Sequence, residues 1–155
     1  MKVTVITISD RASRGEYEDR SGPEIAAILS EAISGVTIEH AVVPDEADRI
    51  LQAYRQHSDA DFILTSGGTG ISPRDITPDV TRSYCERELP GVSETLRSES
   101  YKETPNALLS RGYAGVKSKT IIVNFPGSVK AVRLCVAVLV PVMEHALRML
   151  RGEGH

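Results

Sequence analysis

The sequence predicts an α/β protein: one domain, a three-layer sandwich with a mostly parallel sheet and helices on both faces. Three observations lead there. Short apolar runs of strand character alternate with helical stripes, the pattern of a parallel sheet covered on both sides. A glycine-rich turn joins an apolar run to a helix start in the middle of the chain. Finally, 155 residues suit a single core that buries about 68–70% of the unfolded surface, and no repeat, low-complexity tract or linker divides residues 1–155.

Val3–Ile8 alternates apolar and polar side chains and reads as the first strand. A long polar connection, Ser9–Ser21, leads to Ser21-Gly-Pro23, an N-cap followed by proline in the first helical turn. Ile25, Ile28, Leu29 and Ile33 give that helix its apolar stripe, and Gly35 ends it. Val36–Val43 reads as a second strand. A helix over Glu46–His57 carries Ala47, Ile50, Leu51 and Tyr54 on one face. Phe62–Thr65 is the third strand, followed by the glycine turn and a helix from Pro78 to about Glu88. Pro90-Gly91 predicts a break, with two shorter helical pieces at Val92–Lys102 and Pro105–Arg111. Lys119–Asn124 is the fourth strand. The last helix starts at Ser128 and continues to Leu150, with Pro141 predicted to kink or restart it by removing one ladder bond.

Bulk properties narrow the function. The chain is 41% apolar and 25% charged, with a formal net charge of −3. That balance argues against nucleic acid as a partner, which would require a basic face. The two cysteines, Cys85 and Cys135, form neither a CxxC pair nor a disulfide framework, so a reducing compartment is expected. No secretory signal is visible at the start, and charges interrupt the apolar run Val132–Leu150, so no membrane span is expected and the cytoplasm is the expected location.

In parallel sheets, ligands sit outside the carboxyl ends of the strands. The four predicted exits are Ser9-Asp10-Arg11, Pro44-Asp45-Glu46, Gly67-Gly-Thr-Gly70 and Pro126-Gly127-Ser128, all polar, acidic or glycine-bearing. The most informative stretch is Thr65–Asp79. Its glycines at 67, 68 and 70 permit positive φ and close backbone approach to a ligand, and consecutive amides in such a turn cradle an anion. With Thr69, Ser66 and Ser72 as extra donors, a phosphate site is predicted. The stretch lacks the Lys-Ser/Thr of a Walker loop and the placement of a dinucleotide fingerprint.

Asp75 reads as a turn residue or as a ligand for a hard cation beside the phosphates. Asp45 reads as the N-cap of the second helix, with Asp48 at the capping-box position, or as a second carboxylate for the metal. Asp79 fits a first-turn complement to the helix dipole. The first loop offers Ser9, Asp10, Arg11 and Ser13 as binding residues, and Ser128 offers helix amides to a second anion. The histidines at 40, 57, 145 and 155 have no zinc spacing. The oxygen-rich edge suits Mg²⁺.

Ser9-Asp-Arg-Ala-Ser13, Val43-Pro-Asp-Glu46, Thr65-Ser-Gly-Gly-Thr-Gly70, Arg74-Asp-Ile-Thr-Pro-Asp79, Glu88-Leu-Pro-Gly91, Leu109-Ser-Arg111 and Asn124-Phe-Pro-Gly127 together resemble the MogA/MoaB family, which includes the gephyrin and plant molybdenum-cofactor G domains. The resemblance covers nearly the whole chain in order. It implies a molybdopterin-binding fold and a homotrimer. For the adenylyltransferase branch it implies Mg²⁺-dependent transfer of AMP from ATP to molybdopterin, with release of pyrophosphate and onward passage to a metal-insertion protein. Asp45 and Asp75 would then be the catalytic, metal-holding carboxylates. The glycine turn would bind phosphate, and Ser110, Arg111, Pro126 and Gly127 would line the pocket. Tyr17, Asp19 and Ser21-Gly22 are closer to the adenylyltransferase branch than to MoaB, although the long insertion that some bacterial members carry after Pro126-Gly127 is absent. The rival readings are a non-catalytic molybdopterin carrier and a generic nucleotide phosphohydrolase.

Overall fold

In the computed structural model, residues 1–153 are described. His155 and the end of the expected 1–155 domain lie outside the described residues. The elements in chain order are β1 (Lys2–Ile8), α1 (Asp10–Ser13), α2 (Ser21–Ala32), β2 (Thr37–Val43), α3 (Ala47–Gln56), β3 (Phe62–Ser66), α4 (Thr77–Tyr84), β4 (Arg87–Glu88), α5 (Pro90–Glu103), a 3-10 turn (Pro105–Leu109), β5 (Ala114–Lys117), β6 (Thr120–Phe125) and α6 (Val129–Leu150).

The sheet order is β2-β1-β3-β6-β5-β4. The first four strands run parallel, so their carboxyl ends share one edge, as expected. Strand polarity explains the two-sided core. On β3, Phe62 and Leu64 face a cluster completed by Ile25 and Leu29 of α2 and by Val132, Val136, Leu139 and Met143 of α6. Ile63, one residue out of phase, faces Ile50, Ala53 and Tyr54 of α3 and Val80 of α4. Side chains that alternate on a pleated strand feed opposite layers, which makes three layers. The chain leaves β1 for β2 on one side and returns to β3 on the other. That reversal is a topological switch point, and it brings the β1 and β3 exits together.

Four expectations need correction. The stretch 114–117 is a strand, paired antiparallel with β6 through a tight turn at Ser118-Lys119, where Ser118 takes φ 52°. That turn lacks the usual Asn-Gly signature. The helix expected to reach Glu88 stops at Tyr84, because Cys85 is extended and the amide of Glu86 bonds Val116 O. Pro90 starts α5 instead of breaking a helix, since proline needs no N–H bond in the first turn. Helix α6 runs through Pro141. Pro141 is exposed there, where solvent can meet the carbonyl it leaves unbonded. No helix among the described residues is long and apolar enough to cross a membrane.

Candidate active site

The glycine turn is built by two close approaches. Gly67 has φ 104°, and a Cβ there would stand 2.3 Å from Ile8 O, the last carbonyl of β1. Gly68 has φ 64°, and a Cβ there would meet Thr77 Oγ1 at 2.4 Å and Asp45 Oδ1 at 2.8 Å. Only glycine fits this combination of left-handed backbone and crowding. Thr77 fastens the turn from α4: its hydroxyl donates to Gly67 O and its amide to Gly68 O. The Gly67 amide is used by Phe125 O. Among the described residues, the amides of Gly68, Thr69, Gly70 and Ile71 meet no protein acceptor.

Arg111 braces the turn from outside. Its amide donates to Thr69 O at 2.8 Å and its Nε to Gly70 O at 2.9 Å. The same guanidinium reaches Asp79 and the carbonyl of Asp75. A guanidinium spent on main-chain carbonyls holds shape and has little reach for a ligand.

Three carboxylates gather beside the free amides. Asp10 and Asp45 clasp each other: the Asp10 amide donates to Asp45 Oδ2 at 2.9 Å, and the Asp45 amide to Asp10 Oδ1 at 3.0 Å. Asp45 is therefore not the cap of α3, whose N-cap is Glu46 with no side-chain bond. Asp75 Oδ2 accepts the Ser72 amide and would lie 2.8 Å from a Cβ on Gly70. Arg74 grips Asp10 with two bonds, Nε to Oδ2 at 2.9 Å and NH2 to Oδ1 at 2.8 Å. That grip holds the Asp10 carboxyl below its ordinary range. Asp45 goes the other way: burial raises its pKa, and the charges on Asp10 and Asp75 add to the rise.

The chemistry of the donor set suits a magnesium ion shared with phosphates. Asp45 Oδ1 and Asp75 Oδ1 have no protein partner among the described residues. Mg²⁺ favours sites of one or two carboxylates completed by water and phosphate. Among the described residues, no group of three or more His, Cys, Asp or Glu side chains is placed to hold a metal ion by itself.

Other expected binders have local duties. Ser9 Oγ caps α1, Ser13 Oγ donates to Asp10 O, and Ser128 Oγ caps α6. Ser72 Oγ accepts the Arg74 amide, and Arg11 lies over the Tyr17 ring at 5.6 Å. Gly127 packs against Gly67, while Ser110 and Pro126 line a small cavity with Arg97 and Asn124. Asp19 caps α2 through the Ser21 and Gly22 amides and bonds Thr7 and His40. Burial pushes the Cys85 thiol up to about 11 and the Cys135 thiol up to about 12, which disfavours the reactive thiolate form at both.

A family profile described as "Probable molybdopterin binding domain" matches residues 4–145. The chain belongs to this family. A molybdopterin adenylyltransferase from Helicobacter pylori (strain J99) is 38% identical over 155 residues, covering 97% of this chain and 88% of the relative. A solved structure described as the anomalous substructure of MogA matches with a TM-score of 0.89 and 37% identity, over 97% of this chain and 99% of its own. The tungsten cofactor synthesizing protein MoaB from Pyrococcus furiosus matches with a TM-score of 0.87 and 34% identity, over 97% and 96% of the two chains.

Within this molybdopterin-binding fold, Asp10, Asp45, Asp75, Gly67–Gly70, Arg111 and Gly127 converge on one rim. Sequence reasoning missed the partner roles of Arg74 and Thr77. The Asp10–Arg74 pair spans 64 positions, a separation at which no local pattern signals contact.

Proposed function

We propose that this protein is a molybdopterin adenylyltransferase, transferring AMP from ATP to the terminal phosphate of molybdopterin and releasing pyrophosphate. The observation that carries the reading is the row of free amides at Gly68–Ile71 beside the unpartnered oxygens of Asp45 and Asp75. The likeness to the Helicobacter pylori enzyme supports the choice of substrates.

A phosphate monoester is already anionic near neutral pH, so it can attack the α-phosphorus without a general base. In agreement with this, no histidine among the described residues bonds Asp10, Asp45 or Asp75: His40 bonds Asp19, and His57 bonds Glu39. The work left for the protein is to align two polyanions and offset their repulsion. The Gly68–Ile71 amides would face phosphate oxygens, with Arg111 and Thr77 keeping the turn in shape. Losing one such preorganised donor costs about 2.7–4 kcal/mol of barrier in other enzymes. Asp45 and Asp75 would hold Mg²⁺, which when bound supplies positive charge to the phosphates. We further propose a homotrimer in the cytoplasm that passes its product to a metal-insertion protein. Exposed Val142 and Met149 on α6 support self-association, and sedimentation velocity checks the mass.

The Asp75→Asn variant tests the reading. It should bind molybdopterin like the parent yet form no adenylylated pterin from Mg-ATP. Full turnover would remove Asp75 from the mechanism. A parent protein that binds the pterin and never consumes ATP would make it a carrier.

A further inference from the structure

We propose that Arg74 is an exchangeable counter-ion, paired with Asp10 at rest and transferred to the phosphates when a polyphosphate enters. The inference rests on the polyphosphate site proposed above.

Four arginines lie near the turn or the Asp10 carboxylate, and they differ in how they are held. Arg14, whose charge also acts on Asp10, is tied to Glu16 by two bonds. Arg111 is tied to two main-chain carbonyls and to Asp79. Arg11 lies against Tyr17. The Arg74 guanidinium has one anchor among the described residues, the Asp10 carboxylate, and its side chain is 58% exposed. The guanidinium end of the pair is open to solvent while Asp10 is largely covered. A competing anion can therefore reach Arg74, and it must match the two parallel bonds that Asp10 already provides. The planar fork that grips a carboxylate with two parallel bonds matches a phosphate equally well.

Charge supplies the drive. Asp10, Asp45 and Asp75 already crowd the rim, and an incoming triphosphate brings further negative charge to the same place. Arg74 leaves the chain from the loop that carries the free amides, directly beside Asp75. Once it turns away, Asp10 stays in position, because its Oδ1 still accepts the Asp45 amide. The exchange therefore leaves the clasp intact and bares Asp10 Oδ2 next to the other carboxylates.

Calorimetric titration with sodium tripolyphosphate in the presence of Mg²⁺ tests this on the parent, Arg74→Ala, Arg74→Lys and Asp10→Asn, with thermal unfolding confirming that each is folded. Arg74→Ala should bind about tenfold more weakly, and Arg74→Lys should fall between it and the parent. Asp10→Asn breaks the same resting pair but keeps the arginine, so it should bind at least as tightly as the parent. On addition of ligand to the ¹⁵N-labelled parent, the Arg74 Nε–H resonance should shift. Equal weakening by Arg74→Ala and Asp10→Asn would make the pair a structural clasp and overturn the inference, as would unchanged affinity in Arg74→Ala. A parent that does not bind tripolyphosphate would instead overturn the underlying site reading, and this inference with it.

Discussion

Replacing Gly68 with alanine separates backbone strain from crowding, because the fold supplies a matched control. Gly35 has φ +68° and nothing within 4 Å of where a Cβ would stand, whereas Gly68 has φ +64° with Thr77 Oγ1 and Asp45 Oδ1 in the way. Both substitutions carry the left-handed cost of about 1–2 kcal/mol. Gly68→Ala must also push Thr77 off Gly67 O, a bond of 3.1 Å, losing about 0.5–1.5 kcal/mol. The expected loss is then about 1.5–3.5 kcal/mol for Gly68→Ala against about 1–2 kcal/mol for Gly35→Ala. Thermal melts should resolve the gap of about 0.5–1.5 kcal/mol, which corresponds to about 1–6 °C in melting temperature for a chain of this size. Mg-ATP binding should fail in Gly68→Ala and survive in Gly35→Ala. Equal destabilisation of the two, with ATP still bound by Gly68→Ala, would refute the cradle argument.

Two further substitutions probe the same rim. Burial first, and then the neighbouring carboxylates, raise the Asp45 pKa above its ordinary 3.8, so the folded chain binds this proton more tightly than the unfolded one and stability falls as pH rises through that window. Asp45→Asn should therefore melt higher than the parent at pH 7, with the difference vanishing below about pH 4; an acidic melting series that shows the reverse would contradict the assigned environment. Asn124 ties β6 to β3 and α4 through bonds of 3.0 Å to both Thr65 and Thr81 and accepts the Tyr113 amide. Asn124→Ala should cost about 2–4 kcal/mol by leaving buried groups unpaired, and a loss under about 1 kcal/mol would show that the network repairs itself.

Strands whose side chains are buried on both faces, such as Phe62–Ser66, stand out in the sequence as apolar runs, and the glycine cluster behind that run marks the turn. The β4–β5 pairing does not stand out, because the two residues of β4 carry no periodicity, and neither does the β5–β6 hairpin, whose Ser118-Lys119 turn is an uncommon one. Pro90 is ambiguous in sequence because proline both ends and begins helices, and only the pairing of Leu89 with Ala114 O settles which. At the site, Asp45 and Asp75 can be nominated from the exits they follow. The Asp10–Asp45 clasp cannot, since it joins loops 35 positions apart. Two serines among the expected binders, Ser9 and Ser128, cap helices through their hydroxyls, because a serine at a strand exit serves the next helix as readily as a bound anion.

The most direct measurement is pyrophosphate release from Mg-ATP with and without molybdopterin. The account predicts pyrophosphate only when the pterin is present, in equal amount to an adenylylated pterin detected by mass. Release of AMP or phosphate without the pterin, or pterin binding with no pyrophosphate at all, would contradict it.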